Sequence, residues 1–202
     1  MAHDLLPLRT QRLIISPLTS ADREAFVAYR DNPNIARHQG WDVPYTVEAA
    51  NALLAGQPTT FPPPPGAWLQ LAIHSSPSSS SIATSTSSLF TPSSPSSVLL
   101  GDLAVHTHAH QPNTYEIGIT ITPAAHRTGV GAEALSALLD ALFRLGAHRV
   151  AARSDVHNPA VGGLLRKVGF ALEGTAREVD WHKGAWQTLQ YWAVLRSDRE
   201  DA

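Results

Sequence analysis

The chain has 202 residues, 43% of them hydrophobic and 16% charged, with a formal net charge of −2 and no cysteine. That length is a prior for one domain, or two small ones, burying roughly 70% of the unfolded surface. The missing cysteines exclude disulfides, zinc–thiolate sites and a thiol nucleophile, and the near-neutral balance argues against a nucleic-acid binder. No apolar run approaches the ~20 residues of a membrane span, and the opening MAHDLLPLRTQR does not read as a signal peptide. The expectation is a cytoplasmic protein with no membrane and no nucleic-acid partner.

Leu13, Ile14 and Ile15 form a short apolar run ended by Pro17, which reads as a first strand. Thr19-Ser20-Ala21-Asp22 has the capping-box pattern and opens a helix carrying Phe26 and Tyr29 or Arg30 one turn apart. Asp31-Asn32-Pro33-Asn34 breaks it. A second helix starts at Thr46, runs through Val47, Ala50, Leu53 and Leu54, and ends at Gly56. The run FPPPPG from Phe61 to Gly66 is a stiff connector, with a docking site for a proline-reading domain as the second reading.

Trp68 to His74 reads as a strand. Ser75 to Ser97 is mostly serine, threonine and proline, too poor in apolar groups to offset its ordering entropy. It is expected to be a disordered insertion in a hairpin of a single domain spanning residues 1–202. Val98 to His106 and Tyr115 to Thr122 read as strands, the latter with Ile117, Ile119 and Ile121 on one face. Val130, Ala134, Leu135, Leu138, Leu139 and Leu142 recur at helical spacing, and Gly146 stops that helix. A strand follows at Arg149 to Ser154, then a short helix from Ala160 to Val168 with Gly169 at its end. Two last strands, Glu178 to His182 and Gln187 to Leu195, turn at Gly184. Hairpins together with a strand–helix–strand crossover give an α/β or α+β class.

The most informative stretch is EIGITITPAAHRTGVGAEAL, Glu116 to Leu135. A strand ends at a proline, a loop carries Arg127, Gly129 and Gly131, and a helix opens at once. The free N–H groups of a helix's first turn, approached closely through glycines, make a phosphate-type anion site. The bland alternative is that the glycines only make a tight turn. The dinucleotide fingerprint is absent, because Ala134 stands at its third glycine.

Read together, an ordered set of motifs resembles the GNAT N-acetyltransferase superfamily, and within it the Rim-type group that includes ribosomal-protein N-terminal acetyltransferases. The set is Arg12-Leu13, Asp31-Asn32-Pro33, Trp41 with Pro44-Tyr45-Thr46, Glu116-Ile117-Gly118, and Arg127-Thr128-Gly129-Val130-Gly131 with Glu133-Ala134-Leu135. It continues with Asn158-Pro159-Ala160, Lys167-Val168-Gly169-Phe170, Glu173-Gly174, Arg177 and Gly184. The resemblance spans almost the whole chain apart from the serine-rich stretch.

The resemblance implies a central twisted mixed sheet, splayed open and flanked by helices, with acetyl-CoA in the opening as co-substrate and no metal. It puts the pyrophosphate on backbone amides of Arg127, Thr128, Gly129, Val130, Gly131 and Ala132. His126 stands where the family's loop begins with Gln or Arg. The pantetheine arm would pair with Ile119, Thr120 and Ile121 as an added strand edge, and Asn158 would contact the cofactor near it.

Acetyl transfer needs a neutral amine, a polarised thioester carbonyl and a stabilised thiolate. Asp180 matches the position of the Rim-type catalytic glutamate and is the first candidate base; Glu116 is the second, with Glu178 and Asp155 behind them. The bland reading of each is a solvated or ion-paired strand carboxylate. On the leaving-group side, Leu165 stands at the family's tyrosine position and Val161 at its serine position, so neither donates a proton. Ser154 or a water is left to substitute. Gly162-Gly163 weakens that helix by roughly 1 kcal/mol per glycine.

His106, His108 and His110 would share one strand face, as a zinc site needs, but Gln111-Pro112-Asn113 follows at once, so an exposed polar edge is expected. Trp68, Trp181, Trp186 and Trp192 are expected in the core or groove wall, and Trp41 in the groove or capping the core. Acceptor specificity is assigned to loops such as Arg37 to Tyr45. The reading is an N-acetyltransferase acting on an amine-bearing acceptor, foremost a peptide or protein N-terminal α-amine, as a monomer or homodimer. The alternatives are a small-molecule amine acetyltransferase or a non-catalytic module binding CoA or a protein.

Overall fold

The computed structural model describes residues 5–76 and 97–200. The expected disordered insertion therefore lies, over 77–96, outside the described residues. The elements in chain order are β1 (Leu8–Arg9), β2 (Leu13–Pro17), α1 (Arg23–Arg30), α2 (Pro33–Ala36), α3 (Val47–Ala55), β3 (Trp68–Ser75), β4 (Leu99–Thr107), β5 (Thr114–Ile121), α4 (Val130–Arg144), β6 (Arg149–Asp155), α5 (Pro159–Lys167), β7 (Ala171–His182), β8 (Ala185–Leu195) and α6 (Arg196–Glu200).

The described strands form one eight-stranded sheet in the order β1-β2-β3-β4-β5-β6-β8-β7. Every neighbouring pair is antiparallel except β5 and β6, which α4 joins by a parallel crossover. Pairing of β5 with β6 ends at Ile117–Ala152, although β5 runs on to Ile121 and β6 to Asp155. The mixed sheet is therefore open at its centre, as expected.

Helix α4 covers one face because Val130, Ala134, Leu135, Leu138, Leu139 and Leu142 fall on a single stripe and are all buried. They pack with Leu13, Ile15, Leu71, Leu103, Val105, Ile117, Val150 and Trp192 in the larger core cluster. Burying each such leucine contributes about 2 kcal/mol. On the opposite face a smaller cluster gathers Phe26, Tyr29, Tyr45, Ala50, Ala72 and Leu99 under α1 and α3.

The capping signals act locally as the sequence indicates. The Thr19 backbone N–H donates to Asp22 Oδ2 at 2.9 Å, at a short 3-10 turn leading into α1. Thr46 Oγ1 accepts from the Ala49 N–H at 3.2 Å and opens α3. The Asp31–Asn34 breaker does more than end α1. Asn32 Oδ1 accepts from the Asn34 N–H at 2.9 Å and Pro33 takes the first helical position, so the same residues start α2.

Two expectations need correction. The first strand of the last hairpin begins at Ala171, not Glu178. It is the outer strand of the sheet and almost wholly exposed, so it has no buried face to impose a period-two pattern. Trp181 and Trp186 line neither core nor groove. They are cross-strand partners, 59% and 57% exposed, packed edge to face at 5.3 Å between ring centroids.

The proline connector is fastened rather than free. Thr107 Oγ1 donates to the Pro63 carbonyl at 2.6 Å, and the Gly66 N–H donates to the Thr107 carbonyl at 2.7 Å.

Candidate active site

The open centre of the sheet leads into three cavities that share His38, Gln39 and Ile119 as walls. A cleft of about 570 Å³ lies between the end of β5, the start of α4 and α5. A cavity of about 780 Å³ lies on the α1–α3 side of the sheet. A constriction of about 80 Å³ shares walls with both.

The cleft collects eight of the ten residues expected to bind the cofactor: Ile119, Thr120, Ile121, Arg127, Gly129, Gly131, Ala132 and Asn158. Thr128 and Val130 face elsewhere. The Thr128 hydroxyl donates to the Ala125 carbonyl at 2.7 Å, and Val130 belongs to the core. Gly129 is the N-cap of α4 at φ +86°, a left-handed conformation that favours glycine. The N–H groups of Val130, Gly131 and Ala132 in the first turn have no intrahelical acceptor. Arg127 and Lys167 add positive charge to the cleft walls. A Cβ on Gly131 would lie 3.2 Å from Leu164 Cδ2 and against Ile121 and Ile119, so the cleft floor has room only for backbone. A phosphate chain fits these donors and charges.

Strand β5 supplies the edge. Thr122 donates to Leu100 of β4, and residues alternate sides along a strand. Ile119 and Ile121 therefore present their N–H and C=O groups to the open side, whereas Thr120 faces β4 and is buried. Gln39 Nε2 donates to the Ile119 carbonyl at 3.4 Å, and His126 Nε2 to the Ile121 carbonyl at 2.9 Å. His126 thus caps the strand end from the position where the family pattern has Gln or Arg.

Sequence reasoning missed what holds this loop. Glu133, in the first turn of α4, accepts from Thr10 Oγ1 at 2.5 Å and from Arg12 Nε at 2.7 Å. Arg12 Nη1 donates onward to the Thr128 carbonyl at 3.0 Å. Burial opposes the Glu133 charge, but the hydrogen bonds from Thr10 and Arg12 outweigh it and hold the carboxyl below its ordinary value.

Both candidate bases reach the larger cavity. Asp180, on β7, lines it with no hydrogen-bond or ion-pair partner among the described residues. Glu116, on β5, lines it too, but its Oε1 accepts from Arg153 Nε at 2.8 Å. Asp155 lies at the end of β6 and lines both the cavity and the constriction. Glu178 forms no wall of either.

Trp41 and Trp68 are cavity walls. Trp41 also caps Arg30, whose guanidinium lies 3.8 Å from its ring centroid and 4.1 Å from that of Phe26. Arg30 Nη2 pairs with buried Asp102 at 3.2 Å, and Tyr29 and Gln70 donate to the same carboxylate. Burial pushes the Asp102 carboxyl up against the pull of Arg30, and pushes the Tyr29 phenol up as well.

On the leaving-group side, Val161 and Leu165 form part of the constriction and carry no polar hydrogen. Ser154 lines it as well, and its Oγ accepts from Trp192 Nε1 at 2.9 Å. Gly162 has a packing reason: a Cβ there would meet Trp192 Cζ2 at 3.3 Å. Among the described residues no three His, Cys, Asp or Glu groups are placed to hold a metal. His106 stacks on Trp68 at 4.8 Å and is half-buried, while His108 and His110 are exposed. The polar-edge expectation therefore fails at His106.

A family model described as the acetyltransferase (GNAT) domain matches residues 12–171. The chain belongs to the GNAT acetyltransferase family. An uncharacterized N-acetyltransferase, YoaA of Bacillus subtilis (strain 168), is 24% identical over 190 residues, covering 94% of this chain and 96% of that protein. Among solved structures, a GNAT-family acetyltransferase from Bacillus anthracis matches with a TM-score of 0.73 at 20% identity, covering 94% of this chain and 98% of its own. Spermidine N-acetyltransferase from Vibrio cholerae, in complex with CoA and spermine, matches with a TM-score of 0.73 at 17% identity, covering 94% and 98%. Mycobacterium smegmatis RimJ, in complex with CoA-disulfide, matches with a TM-score of 0.70 at 18% identity, covering 92% and 83%.

The protein is thus a GNAT-fold N-acetyltransferase with acetyl-CoA as co-substrate. Its cleft holds eight of the residues that the sequence reading assigns to the cofactor, and its larger cavity lies on the other side of the open sheet. Among the described residues no helix is long and apolar enough to cross a membrane.

Proposed function

We propose that this GNAT enzyme acetylates a single primary amine per acceptor, foremost a peptide or protein N-terminal α-amine as in the Rim-type group. It would work in the cytoplasm as one acetyltransferase domain, with residues 77–96 inserted between β3 and β4. The observation that carries the acceptor reading is the charge pattern of the large cavity. Four carboxylates line it: Asp102, Glu116, Asp155 and Asp180. Asp102 is paired with Arg30, Glu116 with Arg153, and Asp155 with His38 and His157. Only Asp180 has no such partner among the described residues. One uncommitted carboxylate suits one ammonium group, whereas a polyamine brings several. Trp41, Trp68 and Arg37 line the same space and offer apolar and polar contacts to a longer acceptor. An α-amine also has a pKa of about 8, below that of a lysine, and is easier to deprotonate.

In this reading Asp180 draws the ammonium in, and Glu116 fixes Arg153 at the cavity wall. The backbone edge of Ile119 and Ile121 and the amides of the Gly129–Ala132 turn hold the acyl donor so that its thioester reaches the constriction. The departing thiolate meets no side-chain acid at Val161 or Leu165, so water or the Ser154 hydroxyl supplies its proton.

The test is a side-by-side assay of a short peptide with a free N-terminus, the same peptide with that amine blocked, and spermidine. The reading expects the free peptide to be acetylated with the highest kcat/KM, the blocked peptide to be inert, and Asp180→Asn to raise the acceptor KM. A preference for spermidine would replace the peptide acceptor with a polyamine.

A further inference from the structure

We propose that His38, held by Asp155, takes the proton from the attacking amine. This rests on the acetyl-transfer reading above and adds the residue that reading lacks. His38 follows α2 and lines the cleft, the constriction and the acceptor cavity alike. A base at that point meets the amine where the thioester arrives. Asp180 lines the acceptor cavity but not the constriction, and Glu116 is committed to Arg153.

The partner makes the imidazole suitable. His38 Nδ1 lies 3.3 Å from Asp155 Oδ2, which leaves Nε2 for the amine proton. Both side chains are largely enclosed, at 18% and 12% exposure. Asp155 Oδ1 accepts from the His157 backbone N–H at 2.9 Å and lies 3.0 Å from His157 Nδ1, so the carboxylate is fixed from behind. Burial opposes its charge, but the hydrogen bonds from His157 and His38 outweigh this and hold the carboxyl below its ordinary value. Asp155 can stand there because β6 runs three residues past its last pairing with β5.

Nε2 takes one proton from the ammonium, and the neutral amine attacks the thioester carbonyl. The C–N bond forms, the C–S bond breaks, and the second amine proton reaches the thiolate by way of water or the Ser154 hydroxyl, which gives up one proton and takes one back. His38 then returns its proton to water through the open acceptor cavity. His38 is the catalytic residue; Asp155 acts through it as a positioning residue.

The test follows acetylated amine product, at saturating acetyl-CoA, in wild type, His38→Ala, His38→Gln and Asp155→Asn, with exposed His110→Gln as control. Both His38 variants are expected to lose about 100-fold in kcat while keeping the wild-type Tm and acetyl-CoA affinity. Free imidazole should restore part of the His38→Ala rate and none of the His38→Gln rate. Asp155→Asn, which keeps an oxygen for the His157 N–H, should lose about tenfold in kcat and almost nothing further when combined with His38→Ala. A His38→Ala enzyme within threefold of wild type, or one deaf to imidazole, overturns the proposal. A fully additive Asp155→Asn loss overturns the role of Asp155. A wild type that acetylates no amine overturns the acetyl-transfer reading itself, and this proposal with it.

Discussion

Asp102 and Glu133 are both carboxylates in hydrogen-bonded clusters, yet their surroundings give them opposite characters. Asp102 is fully enclosed and serves as the shared acceptor of Tyr29, Arg30 and Gln70 at the wall of the larger cavity. Removing it strands a guanidinium that is itself 94% buried at the side chain. Asp102→Ala is therefore expected to cost about 3 kcal/mol, a Tm loss of roughly 6–12 °C, measured by thermal denaturation. Glu133 stays partly wet and ionises more readily than usual. A depressed folded-state pKa gives stability that is complete above the ordinary value of 4.5 and is lost as pH falls through the folded value. Glu133→Gln should then lower stability by about 1 kcal/mol at pH 7, given that Arg12 is well exposed. The gap between variant and wild type should close as pH falls below 4.5 and through the lowered folded value, as denaturant titrations at several pH values would show.

At the scale of elements, the larger cavity is walled by pieces far apart in sequence, so its shape depends on how they are tied. The β7–β8 hairpin is fastened to the last residue of α2 and to the segment after it by two contacts. His182 Nε2 donates to the Gln39 carbonyl at 2.9 Å, and Lys183 Nζ donates to the Ala36 carbonyl. This tie holds together the two pieces that bring Asp180 and His38 to the wall of the same cavity. Lys183→Ala should loosen the wall without touching the cleft. The expected result is a rise of about fivefold in acceptor KM, equivalent to about 1 kcal/mol, with acetyl-CoA affinity unchanged in calorimetry.

The elements also show where sequence was a sufficient guide. Helix α4 was legible because it buries one face, and burial imposes the helical period; in β5 the alternation of Ile117, Ile119 and Ile121 marks the strand, although of the three only Ile117 is fully buried. The glycine loop was legible because its chemistry is local. The first half of β7 was not, since an exposed edge strand carries no such period. His38 was invisible for another reason: its partner stands 117 residues away, and only the register of β6 against β5 brings Asp155 to the constriction. The same holds for Arg12 with Glu133, and for Arg30 with Asp102. A lone histidine in a loop has no spacing to mark it.

Across the whole molecule, the sheet behaves as a frame with two faces of different purpose. One face carries the large core under α4; the other carries a small core that leaves the larger cavity open. The end of β3 and the start of β4 are joined to each other on the two sides of residues 77–96 in sequence. The Ser75 N–H donates to the Val98 carbonyl at 2.9 Å, and Ser75 Oγ accepts from the Val98 N–H at 2.9 Å. Replacing 77–96 by a short glycine–asparagine turn should therefore keep Tm within about 3 °C of wild type, under 1 kcal/mol for a chain of this size, and leave kcat unchanged. A large loss of either would mean that the segment supports the frame.

The most direct measurement of the central claim is thiol release from acetyl-CoA by the intact protein, with and without a peptide bearing a free N-terminal amine. The chain has no cysteine of its own, so the thiol signal comes from the reaction alone. The account predicts release that is saturable in peptide, matched one for one by acetylated product, and abolished when the amine is blocked. Release that ignores the peptide, or none at all from a protein that binds acetyl-CoA, would contradict it.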